Sequence, residues 1–359
     1  MPHILNRLSS RRKSLFSVLP AGAARHHNGN IAAALRLDSI FAVPVMMSGL
    51  APLVLSKSEM DVINKNHKNI LANLMKLHDK TPDTFVYFIS GSLPAAALVH
   101  MRQLGLFNMI CHLPNNIMNR IAKHALMTEP DTSRSWFIQI RRLCDMYDLP
   151  SPLVLLTDPI SKDKLKNLVK SKVMDYWEKI LRHEASQKPS LLYFKPQFYS
   201  LRKPHNIITS TGSNSFELNK SICQIRMLSG RYRDDWLCRH WSPHNKSGEC
   251  TLCHHPRGDL RHLLVLCQAL EDKRKTLFYY WDQESSQNPY LRYIISEKRN
   301  DPNIDNLVGF ILDPSADPAV IDGCQNQKLD IKHLFKITRT FCYGIHRRRL
   351  QLTGRFNCI

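Results

Sequence analysis

Four residues in the second half of the chain have the types and spacing of a metal site. Cys250-Thr-Leu-Cys253 is followed by eight residues, then His262, then four more and Cys267. A C-x-x-C turn aims two thiolates at one point, and a histidine and a third cysteine complete a tetrahedral Zn2+ shell. His262 and Cys267 are five positions apart, which do not face one another on an ideal α-helix. A helix is therefore expected to begin at or just after His262, with Gly258 and Asp259 supplying the turn between the two ligand pairs. His254 and His255 sit beside the second thiolate, and a ligand role would strain the loop. They are read as neighbours of the site or as solvent-facing. Cys238, His240 and His244 form a weaker substitute set. Cys111, Cys144, Cys223, Cys324, Cys342 and Cys358 read as core or surface thiols. A closed shell of four protein ligands leaves no position for a reactive water, so the Zn2+ is expected to be structural. A zinc hydrolase or nuclease is the less favoured reading, and a zinc-dependent protein-interaction module is the other alternative. No Ser/His/Asp or Cys/His/Asn grouping stands out, and no catalytic residue is assigned.

The second chemical signal is charge. Lys+Arg number 50 against 30 Asp+Glu, a formal net charge of +20 with a pI near 9.6. Such an excess fits a protein that works against phosphate. The cations also cluster. Lys162, Lys164, Lys166, Lys170, Lys172 and Lys179 crowd one helical segment. Lys332, Lys336, Arg339 and Arg347 recur at helical spacing near Arg348 and Arg349, and Tyr343 completes the row as a stacking platform for a base. Arg231, Tyr232 and Arg233 combine two guanidinium groups with an aromatic ring just before the cysteine block. Any one run reads as a solvated helix face; three of them flanking a zinc module predict contact with RNA or DNA. Tyr232-Arg233-Asp234-Asp235 matches the Y-x-D-D string of a polymerase metal site, but its flanks lack the alternating apolar pattern of the strands that chemistry needs. The string is read as coincidence.

The elements that must position these residues are mostly helices, and a mainly α fold is expected. The 359 residues, 43% of them hydrophobic, are enough for two or three domains and exclude a wholly disordered chain. Ser56 and Glu59 form a capping box ahead of Ile63, Ile70 and Leu74. Pro82 marks a break, and Pro94 opens a helix that stops near Pro114. Further helices are expected over 135–147, 161–183, around 220–229, and over 331–350. Prolines and aromatics over 187–213 read as a boundary, and 283–305 as a polar stretch. The run from Ser39 to Ser56 is uncharged, but Pro44, Gly49 and Pro52 interrupt any spanning helix, so it reads as a buried helix-turn-helix. No secretory signal is evident, and the thiols read as reduced. An intracellular protein of the nucleus or cytoplasm, with no membrane partner, is expected; a mitochondrial presequence is the minor alternative.

Several segments carry a family resemblance. Pro44-Val45-Met46-Met47-Ser48-Gly49-Leu50 and the following Ala51 to Lys57 resemble the segment after the palm in non-LTR (LINE-type) retrotransposon reverse transcriptases. Gly91-Ser92-Leu93-Pro94, Ser135-Trp136-Phe137, Ser229-Gly230-Arg231-Tyr232-Arg233 and Arg339-Thr340-Phe341-Cys342-Tyr343 are similar to the carboxy-terminal part of such proteins. The C-C-H-C spacing resembles the motif many of them carry after the polymerase. The resemblance implies a thumb-like remnant over 1–57, a helical connector over 58–190, a linker over 191–219, a zinc module over 220–285, and a polar linker with a terminal basic helix over 286–359. It implies nucleic-acid binding by a carboxy-terminal fragment without its own polymerase site, possessing no enzymatic activity as it stands. A polymerase-bearing protein in trans is an implied partner.

Overall fold

The computed structural model describes residues 2–18, 30–113, 116–212, 214–240 and 247–354. It is 72% helical, with no strand among the described residues, as the sequence led one to expect. Local chemistry sets where the helices start. Ser56 Oγ accepts the Glu59 amide at 3.3 Å while Glu59 Oε2 accepts the Ser56 amide at 3.0 Å, and this reciprocal cap opens Lys57–Leu74. Asn214 caps Ser215–Leu228 through the Glu217 amide, and Asp330 caps the terminal helix, Ile331–Thr353. Each such cap is worth about 1 kcal/mol. The expected helices over 135–147 and 161–183 are found as Trp136–Met146 and Lys162–Ser186.

One buried apolar cluster runs from Ile31 to Ile345 and takes side chains from nearly every segment between. The stretch read as a linker, 191–219, contributes Leu191, Phe194, Tyr199, Leu201, Ile207 and Ile208 to it. Its aromatics stack inward: Phe194 lies 5.0 Å from Phe85 and 4.6 Å from Tyr199, centroid to centroid. The prolines there shape a strap against Asp83–Ser90 rather than a spacer. Where the strap crosses, Gly91 has φ +66°, and a Cβ on it would fall 2.2 Å from the Lys203 carbonyl carbon, so only glycine fits. The stretch read as polar, 283–305, is helical over Pro289–Asn300 and buries Leu291, Ile294 and Ile295 at helical spacing.

The segment expected as a thumb remnant also packs onto its neighbours. Ile4, Leu8, Met46, Met47 and Leu50 form a second cluster with Ile63, Ala95 and Val99. Arg11 spans this layer and holds Asp38 through two hydrogen bonds of 3.2 and 2.7 Å, with both side chains buried. Residues 39–56 fold as a π turn, a short helix (Val43–Met47) and a tight turn at Gly49. No single described helix is long and apolar enough to cross a membrane. The two apolar helices Asp83–Ser90 and Ala95–Cys111, bent by 62°, supply Phe85, Phe88, Ile89 and Phe107 to the core.

Candidate metal centre and adjoining basic cleft

Cys250, Cys253, His262 and Cys267 converge, with their ligating atoms all within 4.8 Å of one another. Cys250 Sγ and Cys267 Sγ are 3.8 Å apart, Cys267 Sγ and Cys253 Sγ 3.7 Å, and Cys253 Sγ and His262 Nε2 3.1 Å. A tetrahedron with metal–sulfur bonds of about 2.3 Å has S···S edges of about 3.8 Å. The sulfur separations therefore match a metal shell and are far too long for a disulfide. These four are the only group of three or more such ligands that converge among the described residues. Cys238 and His240 are not part of it, and His244 and Cys358 lie outside the described residues.

The backbone explains how the spacing works. Between Cys250 and Cys253 the chain turns back, with the His254 amide bonding to the Cys250 carbonyl at 2.9 Å and His254 left-handed at φ 59°. Gly258 packs against this knuckle: a Cβ there would lie 2.8 Å from Cys250 Cα. The helix after it begins at Leu260, two residues earlier than expected, because Asp259 caps it through the His262 amide at 2.9 Å. The five-residue step is then solved by a π turn, His262–Leu266, closed by the Cys267 amide on the His262 carbonyl at 2.7 Å. An i→i+5 turn puts residues five apart above one another, where an α-turn would not. His255 stacks on His262 at 4.5 Å, a neighbour of the site. Leu263, Leu264 and Leu270 anchor the module in the main core. Arg274 is buried and donates to the Cys267 carbonyl at 2.7 Å, which places a positive charge beside the thiols. Cys250 is drawn below its ordinary pKa, chiefly by the hydrogen bond from Cys267, which is itself pushed up.

The residues expected to face nucleic acid divide into two groups. Lys332, Lys336, Arg347 and Arg233 are exposed, and Arg231 is half-buried. Arg339, Tyr232 and Tyr343 are interior, at 1%, 8% and 7% exposure, which corrects the row drawn through the terminal helix. On a helix of 3.6 residues per turn a step of three from Lys336 rotates away from the exposed face, whereas a step of four, to Thr340, stays near it. Arg339 instead reaches Ser221 Oγ at 3.1 Å and Ser210 Oγ at 2.7 Å, and burial, only partly offset by the Glu217 charge, brings its pKa down to about 10. Tyr232 is spent on a bond of 2.9 Å between its hydroxyl and His346 Nδ1.

The Asp234-Asp235 pair is flanked by Ser215–Leu228 and the short Asp235–Cys238 helix. Its carboxylates diverge. Asp234 caps the Leu237 amide at 2.7 Å, and burial pushes its pKa up to about 7. Asp235 binds Thr251 and Arg349. A third feature had no local signal in the sequence: His205, Asp313, Ser315 and Tyr199 meet in the interior. Ser315 Oγ is 3.1 Å from His205 Nε2 and donates to Asp313 at 2.7 Å. His205 Nδ1 accepts the Ile207 amide at 3.1 Å, so in the neutral ring Nε2 carries the proton and cannot take one from Ser315. The cluster is a cap on the backbone, not a nucleophile and its base.

Helix packing also assembles a cleft of about 630 Å³ between Ser215–Leu228, Glu271–Ser285 and the terminal helix. Phe216, Lys220, Lys273, Arg347 and Arg348 line it together with one carboxylate, Asp272, and with Leu277 and Gly344 among its apolar lining. Lys220 is paired with Glu217 at 2.7 Å. Lys273, Arg347 and Arg348 make no ion pair among the described residues. Sequence reasoning found Arg347 and Arg348 but missed Phe216 and Lys273, which lie far from them in the chain. No protein-family profile, curated protein or solved structure matches this chain.

Proposed function

We propose that the chain is a nucleic-acid-binding protein whose basic cleft is held in shape by one structural Zn2+. The observation that carries this reading is the cleft itself: three cations without acidic partners, Lys273, Arg347 and Arg348, gathered on two packed helices. Three cations against the single carboxylate of Asp272 leave the cleft net positive, and a phosphate backbone supplies one anion after another to meet them. Arg347 and Arg348 offer planar forks suited to phosphate oxygens. The resemblance to the post-palm region of non-LTR reverse transcriptases favours the same reading, with the chain helping to seat RNA and DNA for a polymerase, including one acting in trans.

The donor set supports Zn2+ in a structural role. Three thiolates and an imidazole are the ligands of closed zinc sites, and together they fill all four tetrahedral positions. Thiolate ligation also requires a reducing compartment, in keeping with an intracellular protein. The metal would fix the turn that carries Cys267, and Arg274 ties that turn to the helix that carries Lys273.

Binding of generic RNA and DNA measured against salt tests the reading. On duplex DNA the slope of log affinity against log salt is about 0.9 per phosphate neutralised. Binding at low salt that falls steeply as salt rises is the expected result. No binding at low salt would remove the proposal.

A further inference from the structure

Phe216 is 54% exposed in the first turn of Ser215–Leu228, yet it is not a loose surface ring. Tyr343 meets it edge-on, with centroids 5.5 Å apart and planes at 90°, and Lys220 Nζ sits 4.5 Å from its centroid. The ring is thus held in orientation at the cleft wall, within the same cavity as Lys273, Arg347 and Arg348. Single exposed apolar residues need no explanation. A buttressed aromatic beside three unpaired cations does.

We propose that this cleft is a single-strand site, in which one unpaired base packs on Phe216 while Lys273, Arg347 and Arg348 hold the flanking phosphates. This rests on the nucleic-acid reading above and deepens it. The cleft, about 630 Å³ and open to solvent, has room for a nucleotide unit. A duplex keeps its bases stacked inside and offers only its backbone, which the cations can meet but Phe216 cannot. A single strand can turn a base out, and every base has a π-face to stack. At the apolar floor Leu277 packs directly on the backbone of Gly344, where a Cβ would lie 3.0 Å from Leu277 Cδ1.

The test compares a short labelled single strand of mixed sequence with its own duplex, by fluorescence anisotropy at low salt. Three variants are needed: Phe216→Ala, Phe216→Trp and the pair Arg347→Ala with Arg348→Ala. Loss of a base–aromatic stack weakens binding by about fivefold or more. Phe216→Ala should show that loss on the single strand and leave the duplex unchanged, while Phe216→Trp retains single-strand binding and the arginine pair weakens both. Equal effects of Phe216→Ala on both substrates, or none on the single strand, would overturn the single-strand site. If the arginine pair still mattered, the broader reading would stand. Failure of the parent to bind either substrate would overturn both.

Discussion

Arg349 and Asp235 form a buried ion pair, 3.1 Å from guanidinium nitrogen to carboxylate oxygen, with side chains 8% and 3% exposed. The other oxygen of Asp235 accepts the amide and the hydroxyl of Thr251, at 3.1 and 3.2 Å. Thr251 lies between two of the metal-site cysteines, and Arg349 follows the two cleft arginines on the terminal helix. One carboxylate thus joins the metal loop to the element that lines the cleft. Of the two aspartates that resemble a polymerase motif in sequence, Asp235 is a structural clasp and Asp234 a helix cap.

Breaking that clasp on one side should be costly. Asp235→Asn leaves the Arg349 charge buried without its partner, and removing one member of such a pair destabilises by about 3–5 kcal/mol. Denaturant unfolding of the variant checks this. A loss below about 1 kcal/mol, the value of an exposed pair, would show that Asp235 and Arg349 are not held together.

The two sets of terminal-helix arginines should separate cleanly. Arg339→Ala leaves the Ser210 and Ser221 hydroxyls without their partner and should cost about 2–3 kcal/mol, with no change in the salt dependence of nucleic-acid binding. Lys273→Ala, Arg347→Ala and Arg348→Ala combined should leave stability within about 0.5 kcal/mol and flatten the salt slope by about 0.9 for each phosphate no longer neutralised. Denaturation and salt-titrated binding on the same two proteins decide it. The opposite pattern would invert the burial seen here.

The fold should be sensitive to acid. Burial lowers the pKa of His67 from 6.5 to about 3, with the nearby Arg11 charge adding to it, and lowers His100 and His346 to about 4. All three are held neutral in the fold, while the unfolded chain takes up protons below pH 6.5. Their contribution is therefore complete above pH 6.5 and is lost progressively as pH falls toward 4. The pH dependence of the unfolding free energy near pH 5 should correspond to an uptake of about three protons from these groups, reduced by about one in His67→Gln. A flat profile from pH 7 to 4 would contradict this burial.

Primer extension on an RNA template should be absent. Asp234 caps a helix and Asp235 is engaged by Thr251 and Arg349, so the two carboxylates do not share a point at which Mg2+ could bridge them. Extension that is abolished by Asp234→Ala would contradict that assignment.

What the sequence made legible was local. The Ser56–Glu59 cap and the C-C-H-C spacing each involve residues close in the chain, and both reappear in three dimensions. The turn between His262 and Cys267 was legible as a problem, since five positions do not suit an α-helix, but its π-turn solution was not. Arg339 was misplaced by a choice between steps of three and four, a difference that only packing against Ser210 and Ser221 resolves. Proline and aromatic content in 191–219 reads the same in a spacer as in a packed strap. Only the packing of Phe194 on Phe85 tells them apart. Phe216, Lys273 and Arg347 come from three helices distant in sequence, so no window along the chain could have gathered the cleft.

The most direct measurement is the metal content of the protein purified under reducing conditions without chelator, with Cys250→Ser and His262→Ala prepared alongside. One zinc per chain is expected in the parent and none in either variant. Its removal should unfold the turn between Cys250 and Cys267, because metal-binding free energy of about 10–16 kcal/mol is what orders such a segment at neutral pH, while the Lys57–Leu74 helix persists. A reduced parent without stoichiometric zinc would contradict the assignment of Cys250, Cys253, His262 and Cys267 as a metal centre.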